Sequence, residues 1–206
     1  MQEKQSKKEL NIKKRIENYE EQRTNMLKLG YTEHIGTISI LKANLMVFVT
    51  AGPFALLAII IYIAVWKEFN SYNGISETFY LLAAFLICIP IHEAIHGFTW
   101  NLFCKNKWKS IQFGVFWKSL TPYCYCVEPL RFGSYMAGCL MPFVVLGIGL
   151  SALAIVSHNN ILLIIGVLNI LSAGGDTTIS CMLFKYRKCV ILDHPTECGF
   201  VAFRNI

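Results

Sequence analysis

Two histidines four residues apart bracket a glutamate in His92-Glu93-Ala94-Ile95-His96. On an α-helix that spacing sets both imidazoles on one face, one turn apart. Two imidazoles so placed can bind one Zn2+. A glutamate beside the first ligand can take a proton from a water that the metal makes acidic. The motif lies inside an apolar run, where each ionisable side chain costs about 2.5–3.5 kcal/mol even on the lenient insertion scale. Such groups need a metal, a partner or a water-filled cavity. The metal reading makes His92 and His96 ligands and Glu93 the catalytic base.

Catalytic zinc commonly takes three protein ligands and one water. The second carboxylate inside an apolar run is Asp176, in Asn169-Ile170-Leu171-Ser172-Ala173-Gly174-Gly175-Asp176. Asp176 stands nine residues before Lys185, and His96 nine before Lys105. If the two runs cross a membrane in the same direction, both side chains sit roughly 13 Å from the same exit. Small residues at 172–175 let the two helices approach closely. Asp193 and His194, in Ile191-Leu192-Asp193-His194-Pro195, are rival ligands and read better as surface turn residues. Cys124-x-Cys126 lacks a second cysteine pair and reads as strand packing. Glu128 is either a solvated loop residue or part of a substrate path.

The elements that must position these groups are membrane spans. Of the 206 residues 54% are hydrophobic and only 16% charged, against about 25% charged in a soluble domain. A helix needs roughly 20 apolar residues to cross the hydrocarbon core. Four segments qualify, at 45–66, 79–100, 135–157 and 161–184. Pro90 predicts a break just before His92, with the ligand helix starting there. Eighteen of the nineteen lysines and arginines fall before the first span, between the second and third, or after the fourth. Only Lys67 lies elsewhere. That asymmetry places both termini in the cytoplasm. It assigns the net charge of +6 to topology and anionic lipid heads, so nucleic acid is not needed as a partner. The charged start, MQEKQSKKEL, is no signal peptide, and the cysteines near cytoplasmic segments are expected to be reduced.

The expected fold is an all-α polytopic membrane protein. It has about four transmembrane helices and a short cytoplasmic β-hairpin between helices two and three, from alternation at 110–117 and 122–127. Residues 1–44 form a charged cytoplasmic segment whose first 30 residues read as a solvated helix. Residues 45–184 form the membrane domain, and 185–206 a cytoplasmic tail.

On these motifs the sequence resembles the putative zincin peptidases, small bacterial integral membrane proteins, and more distantly the site-2-type intramembrane metalloproteases. The resemblance runs from about Tyr31 to Phe200. It rests on His92-Glu93-Ala94-Ile95-His96-Gly97, the aromatic-cysteine stretch ending Glu128-Pro129-Leu130, the Gly175-Asp176 pair, and Asp193-His194-Pro195. It implies a zinc-dependent endopeptidase acting on membrane-associated proteins or peptides. His92, His96 and Asp176 match the ligands and Glu93 the catalytic glutamate. Asn169 and Glu128 are candidates for substrate binding. Site-2 enzymes carry an Asn-Pro…Asp-Gly pattern, whereas this chain lacks the proline and has Thr177 in place of the glycine. The alternatives are a non-catalytic metal-binding scaffold or immunity-type protein, and a small transporter.

Overall fold

The computed structural model describes residues 2–68, 74–116 and 121–205, with side chains from Ile12 onward except that of Phe116. Trp117 and Lys118, which the sequence reading placed in the hairpin region, lie outside the described residues.

Among the described residues three helical segments are long and apolar enough to cross a membrane: Ile40–Trp66, Ile75–Phe103 and Phe132–Ser157. The first joins α2 (Ile40–Thr50) to α3 (Gly52–Trp66), with a proline in the first turn of α3. Backbone bonds run across Ala51, from its N–H to Val47 and from the Ala55 N–H to its carbonyl. The second is α4 (Ile75–Phe103), which is continuous through Pro90. The predicted helix start at His92 is therefore absent, and the motif occupies the interior of a long helix. The third comprises α5 (Phe132–Pro142), a widened π-helical stretch at Phe143–Gly149, and α6 (Leu150–Ser157).

The fourth expected span is broken. Helices α7 (Asn160–Ser172) and α8 (Gly174–Leu183), the latter extended to Tyr186 by a 3-10 turn, qualify only as a pair bent by 44°. The bend falls at Ala173, among the small residues. A Cβ on Gly174 would overlap the Val47 side chain, so α8 can lie against α2 only because this position is glycine. Thr177 then donates to Thr50 Oγ1 at 2.9 Å, and Thr178 lies 3.2 Å from the same hydroxyl.

The fold is mostly helical but not all-α. Besides the hairpin β2 (Ile111–Phe116) and β3 (Thr121–Cys126), it holds a four-stranded antiparallel sheet. Its order is β1 (Tyr31–Ile38), β6 (Cys198–Asn205), β5 (Val190–Asp193), β4 (Leu130–Arg131). Strands drawn from the segment before α2, the loop after α4 and the stretch after α8 thus build one layer at a single end of the helices.

Both faces of its central strands, β5 and β6, are buried, and the period of two divides them. Ile191, Phe200 and Ala202 pack with Trp100, Tyr135 and Leu183 of the helices. Leu192, Val201 and Phe203 pack instead with Tyr19 and Met26 of α1 (Gln2–Lys28). A strand buried on both faces reads as a continuous apolar run without alternation, which is why these segments passed for a tail. The same packing corrects the reading of α1 as a solvated helix. Arg15 is also buried, with its guanidinium 4.8 Å from the Tyr123 ring centre and 5.3 Å from that of Tyr125. Arg23 grips both Glu33 oxygens at 2.6 Å, tying α1 to β1.

Candidate metal centre

Helix α4 presents His92 and His96 on one face, and α8 brings Asp176 to them from its first turn. The His92 Nε2 is 3.0 Å from Asp176 Oδ2 and 3.1 Å from His96 Nε2. The remaining side, His96 Nε2 to Asp176 Oδ2, is 3.4 Å. Zinc bonds to nitrogen and oxygen are about 2.0–2.2 Å, so ligand atoms around a tetrahedral ion lie about 3.3–3.6 Å apart. One edge of the triangle falls in that range and the other two are a few tenths of an ångström shorter, so a slight opening would admit the ion. The triangle is the one group of three such side chains with ligand atoms this near one another among the described residues. The bend at Ala173 starts a new helix three residues before Asp176, and the free N–H groups of a first turn favour a carboxylate.

The orientation of His96 is fixed from behind. Its Nδ1 lies 2.8 Å from the Gly138 carbonyl of α5. A carbonyl only accepts, so Nδ1 carries the ring proton and Nε2 turns its lone pair toward His92 and Asp176. Such a bond on the far nitrogen is the usual companion of a metal-binding imidazole. Trp100 stacks on His96 with ring centres 5.3 Å apart, and its indole N–H donates to the Tyr135 carbonyl at 3.0 Å. Gly138 must be glycine here, since a Cβ would overlap the Trp100 ring. The Cys139 thiol, next along α5, donates to the Asp176 carbonyl at 3.5 Å. Three neighbouring positions of α5 thus support both helices of the triangle.

Glu93 leaves α4 in a different direction. It lines a groove of about 330 Å³ with Pro90, Ala94, Phe113, Gly114, Pro122 and Tyr123. One wall is α4 and the other is the β2–β3 hairpin. The hairpin approaches α4 closely at Gly97, where a Cβ would overlap the Phe113 ring.

The remaining predicted residues lie elsewhere. Asn169 is buried on α7, and its amide donates to the Ile165 carbonyl of its own helix at 2.8 Å. Glu128 accepts from the backbone N–H of Lys105 and Asn106 at 2.7 and 2.9 Å, and from the Ser110 hydroxyl at 2.6 Å. It closes the loop after α4. Burial pushes its carboxyl up, but those bonds win and hold it below its ordinary range. Asp193 is no surface turn residue. It is 7% exposed and accepts from the Cys126 N–H at 2.7 Å and from the Tyr135 hydroxyl. Burial outweighs both bonds and pushes its carboxyl up to about 6. His194 does sit in a turn, where Nδ1 accepts from the Glu197 N–H at 2.9 Å. Cys124 and Cys126 lie on β3, and all eight cysteines are free thiols.

Sequence reasoning missed Gly138, Tyr135, Thr50 and Arg15. Gly138 acts through a carbonyl, which every residue has, so no side chain could have marked it. Thr50 looks like any hydroxyl within an apolar run.

A family model described as putative zincin peptidase matches residues 85–191, just over half the chain. No curated protein and no solved structure matches. The matched stretch holds His92, Glu93, His96 and Asp176, the hairpin and α5, and stops two residues short of Asp193. The chain belongs to the family of putative zincin peptidases.

Proposed function

We propose that this protein is a membrane-embedded zinc endopeptidase, with His92, His96 and Asp176 as the metal ligands and Glu93 as the proton carrier. The observation that carries the reading is the triangle of two imidazole nitrogens and one carboxylate oxygen, 3.0–3.4 Å on a side, with Glu93 turned into an adjacent groove. Bound zinc would polarise a peptide carbonyl and make a water ionisable near neutral pH.

The residues of the chain divide the remaining work. Gly138 holds the His96 proton on Nδ1, which keeps Nε2 available. Glu93 takes the proton from the attacking water and delivers it to the leaving nitrogen. The groove between α4 and the hairpin receives the peptide in an extended form, because a helical peptide keeps its carbonyls engaged. A segment laid along the hairpin gains main-chain hydrogen bonds at a strand edge. The substrates are membrane-associated proteins or peptides. The chain is multi-pass with both termini in the cytoplasm. The gathering of the basic N-terminal segment, the loop after α4 and the C-terminal strands at one end of the helices supports that arrangement.

The test is Glu93→Gln. It keeps size and most hydrogen bonding but removes the base. Metal content of the detergent-purified protein should stay at the wild-type level, while hydrolysis of a membrane-derived peptide falls by roughly 10²–10⁴-fold. Equal turnover in the variant and the wild type rejects the mechanism and favours a non-catalytic metal-binding scaffold.

A further inference from the structure

We propose that Asp193 is a positioning residue for the His92–His96–Asp176 centre, acting through α5. The inference rests on the reading of that triangle as a metal site. Asp193 ends β5 and pairs with Phe200 across the sheet. Its two carboxylate oxygens serve two different elements. One accepts from the Cys126 N–H of β3 and the other from the Tyr135 hydroxyl of α5. Cys126 is fully buried and Tyr135 is 3% exposed, so neither bond exchanges freely with water.

These two elements form the immediate setting of the motif helix. Tyr135 is bonded at both ends, since its carbonyl accepts from Trp100, which stacks on His96. One turn along α5, the Gly138 carbonyl holds His96 Nδ1, and Cys139 then reaches the backbone of Asp176. A shift of α5 along its axis would displace the supports of His96 and Asp176 together. Asp193 fixes α5 at its start, and the same carboxylate fixes the end of the hairpin that walls the Glu93 groove. The sheet thereby sets the register of the centre although it contributes no atom to it.

The test uses the full chain in detergent with Co2+ as the probe, read by its ligand-field absorption and by chelator competition. The variants are Asp193→Asn, Tyr135→Phe and the double substitution. Asn keeps one acceptor but presents an NH2 group to the other donor. Each single substitution should weaken Co2+ binding by about 10–100-fold, the range for groups that orient a ligand from outside, and should change the absorption band. The double variant should be no worse than the more severe single one, because both remove the same link. Leu192→Ala, which opens a hole on the α1 side of the same sheet, is the control for stability. It should lower the melting temperature and leave Co2+ affinity and the band unchanged. Wild-type affinity and band in both Asp193→Asn and Tyr135→Phe would overturn the proposal, as would an equal loss in Leu192→Ala. Should Asp193→Asn fail to fold, Tyr135→Phe alone decides. A wild-type protein that binds no Co2+ overturns the metal reading itself, and the proposal with it.

Discussion

Asp176 and Asp193 are both shielded carboxylates, and they differ in what faces them. Around Asp193 two donors converge on one acceptor pair: a backbone N–H and a phenol hydroxyl. The site is complete with protein groups alone. Around Asp176 the neighbours are imidazole nitrogens, and His96 has already committed its ring proton to Gly138. There, lone pairs face a carboxylate, and a cation or added protons must reconcile them. Burial alone therefore does not mark a ligand. The polarity of the partners separates a carboxylate that holds the fold together from one that suits a cation.

The largest expected effect sharpens that contrast through metal content. Wild type should carry about one transition metal per chain by the three-ligand logic, measured by elemental analysis. His96→Ala should reduce this to near zero. Asp176→Ala should reduce it less, since water can take the vacated position. Asp193→Ala, measured with metal in excess, should keep the wild-type ratio. Full retention in Asp176→Ala would break the comparison.

Stability without metal should show the reverse order. Asp193→Ala strands two buried donors, at about 1–3 kcal/mol each, and should lower the melting temperature clearly. Asp176→Ala in chelator-treated protein removes an acceptor from among acceptors and should leave the melting temperature level or higher. Thermal melts of both variants in detergent check this.

The pH dependence follows from opposite shifts in two carboxylates outside the spans. Asp193 is raised to about 6 from an ordinary value of 3.8, chiefly by burial. The fold favours its neutral form, so its contribution to stability grows as pH falls from about 6 to about 4. It amounts to roughly 3 kcal/mol over that window. Glu128 is lowered: burial opposes the shift, and bonds from Ser110, Asn106 and Lys105 prevail. Its contribution is present above pH 4.5 and is lost as pH falls through the lowered value. The stability gap between wild type and Asp193→Asn should therefore widen on acidification from pH 6, while the gap to Glu128→Gln narrows below pH 4.5. Parallel slopes would contradict the assignment. The smallest effect belongs to Glu33→Gln. It weakens the partly exposed Arg23 pair and should cost less than about 1 kcal/mol in the same melts.

How much of this was legible depended on whether the signal was local. The spacing of four in His92 and His96 sits within one helical turn, and the first three apolar runs are each long enough to announce themselves. Equal distances from Lys105 and Lys185 were also readable, and His96 and Asp176 lie 3.4 Å apart. The break at Ala173 was hidden, because small residues suit a straight packed helix as well as a bend. The side chain that crowds Gly174 beside it is Val47, more than a hundred residues away. Pro90 misled in the other direction, since α4 runs on through it at an exposed position beside the groove. The four-stranded sheet left almost no trace. Its central strands are apolar on both faces, and β1 pairs with a strand at the far end of the chain. Asp193 looked like a turn residue because its donors come from β3 and α5, which nothing in Leu192-Asp193-His194 could foretell.

The pairing of β1 with β6 also sets an order of events. Thr32 and Arg204, bonded across that pair, are 172 residues apart. During synthesis β1 leaves the ribosome long before β6 exists, while the intervening helices are still being made. At roughly 5–20 residues per second, β1 and the Tyr19–Met26 face of α1 stay without their partner for some ten to thirty seconds. The sheet that carries Asp193 is therefore among the last parts to close. A chain halted after α8 would hold His92, His96 and Asp176 and neither of the strands β5 and β6, so on the proposed role of Asp193 the centre would be finished only once synthesis has passed β6.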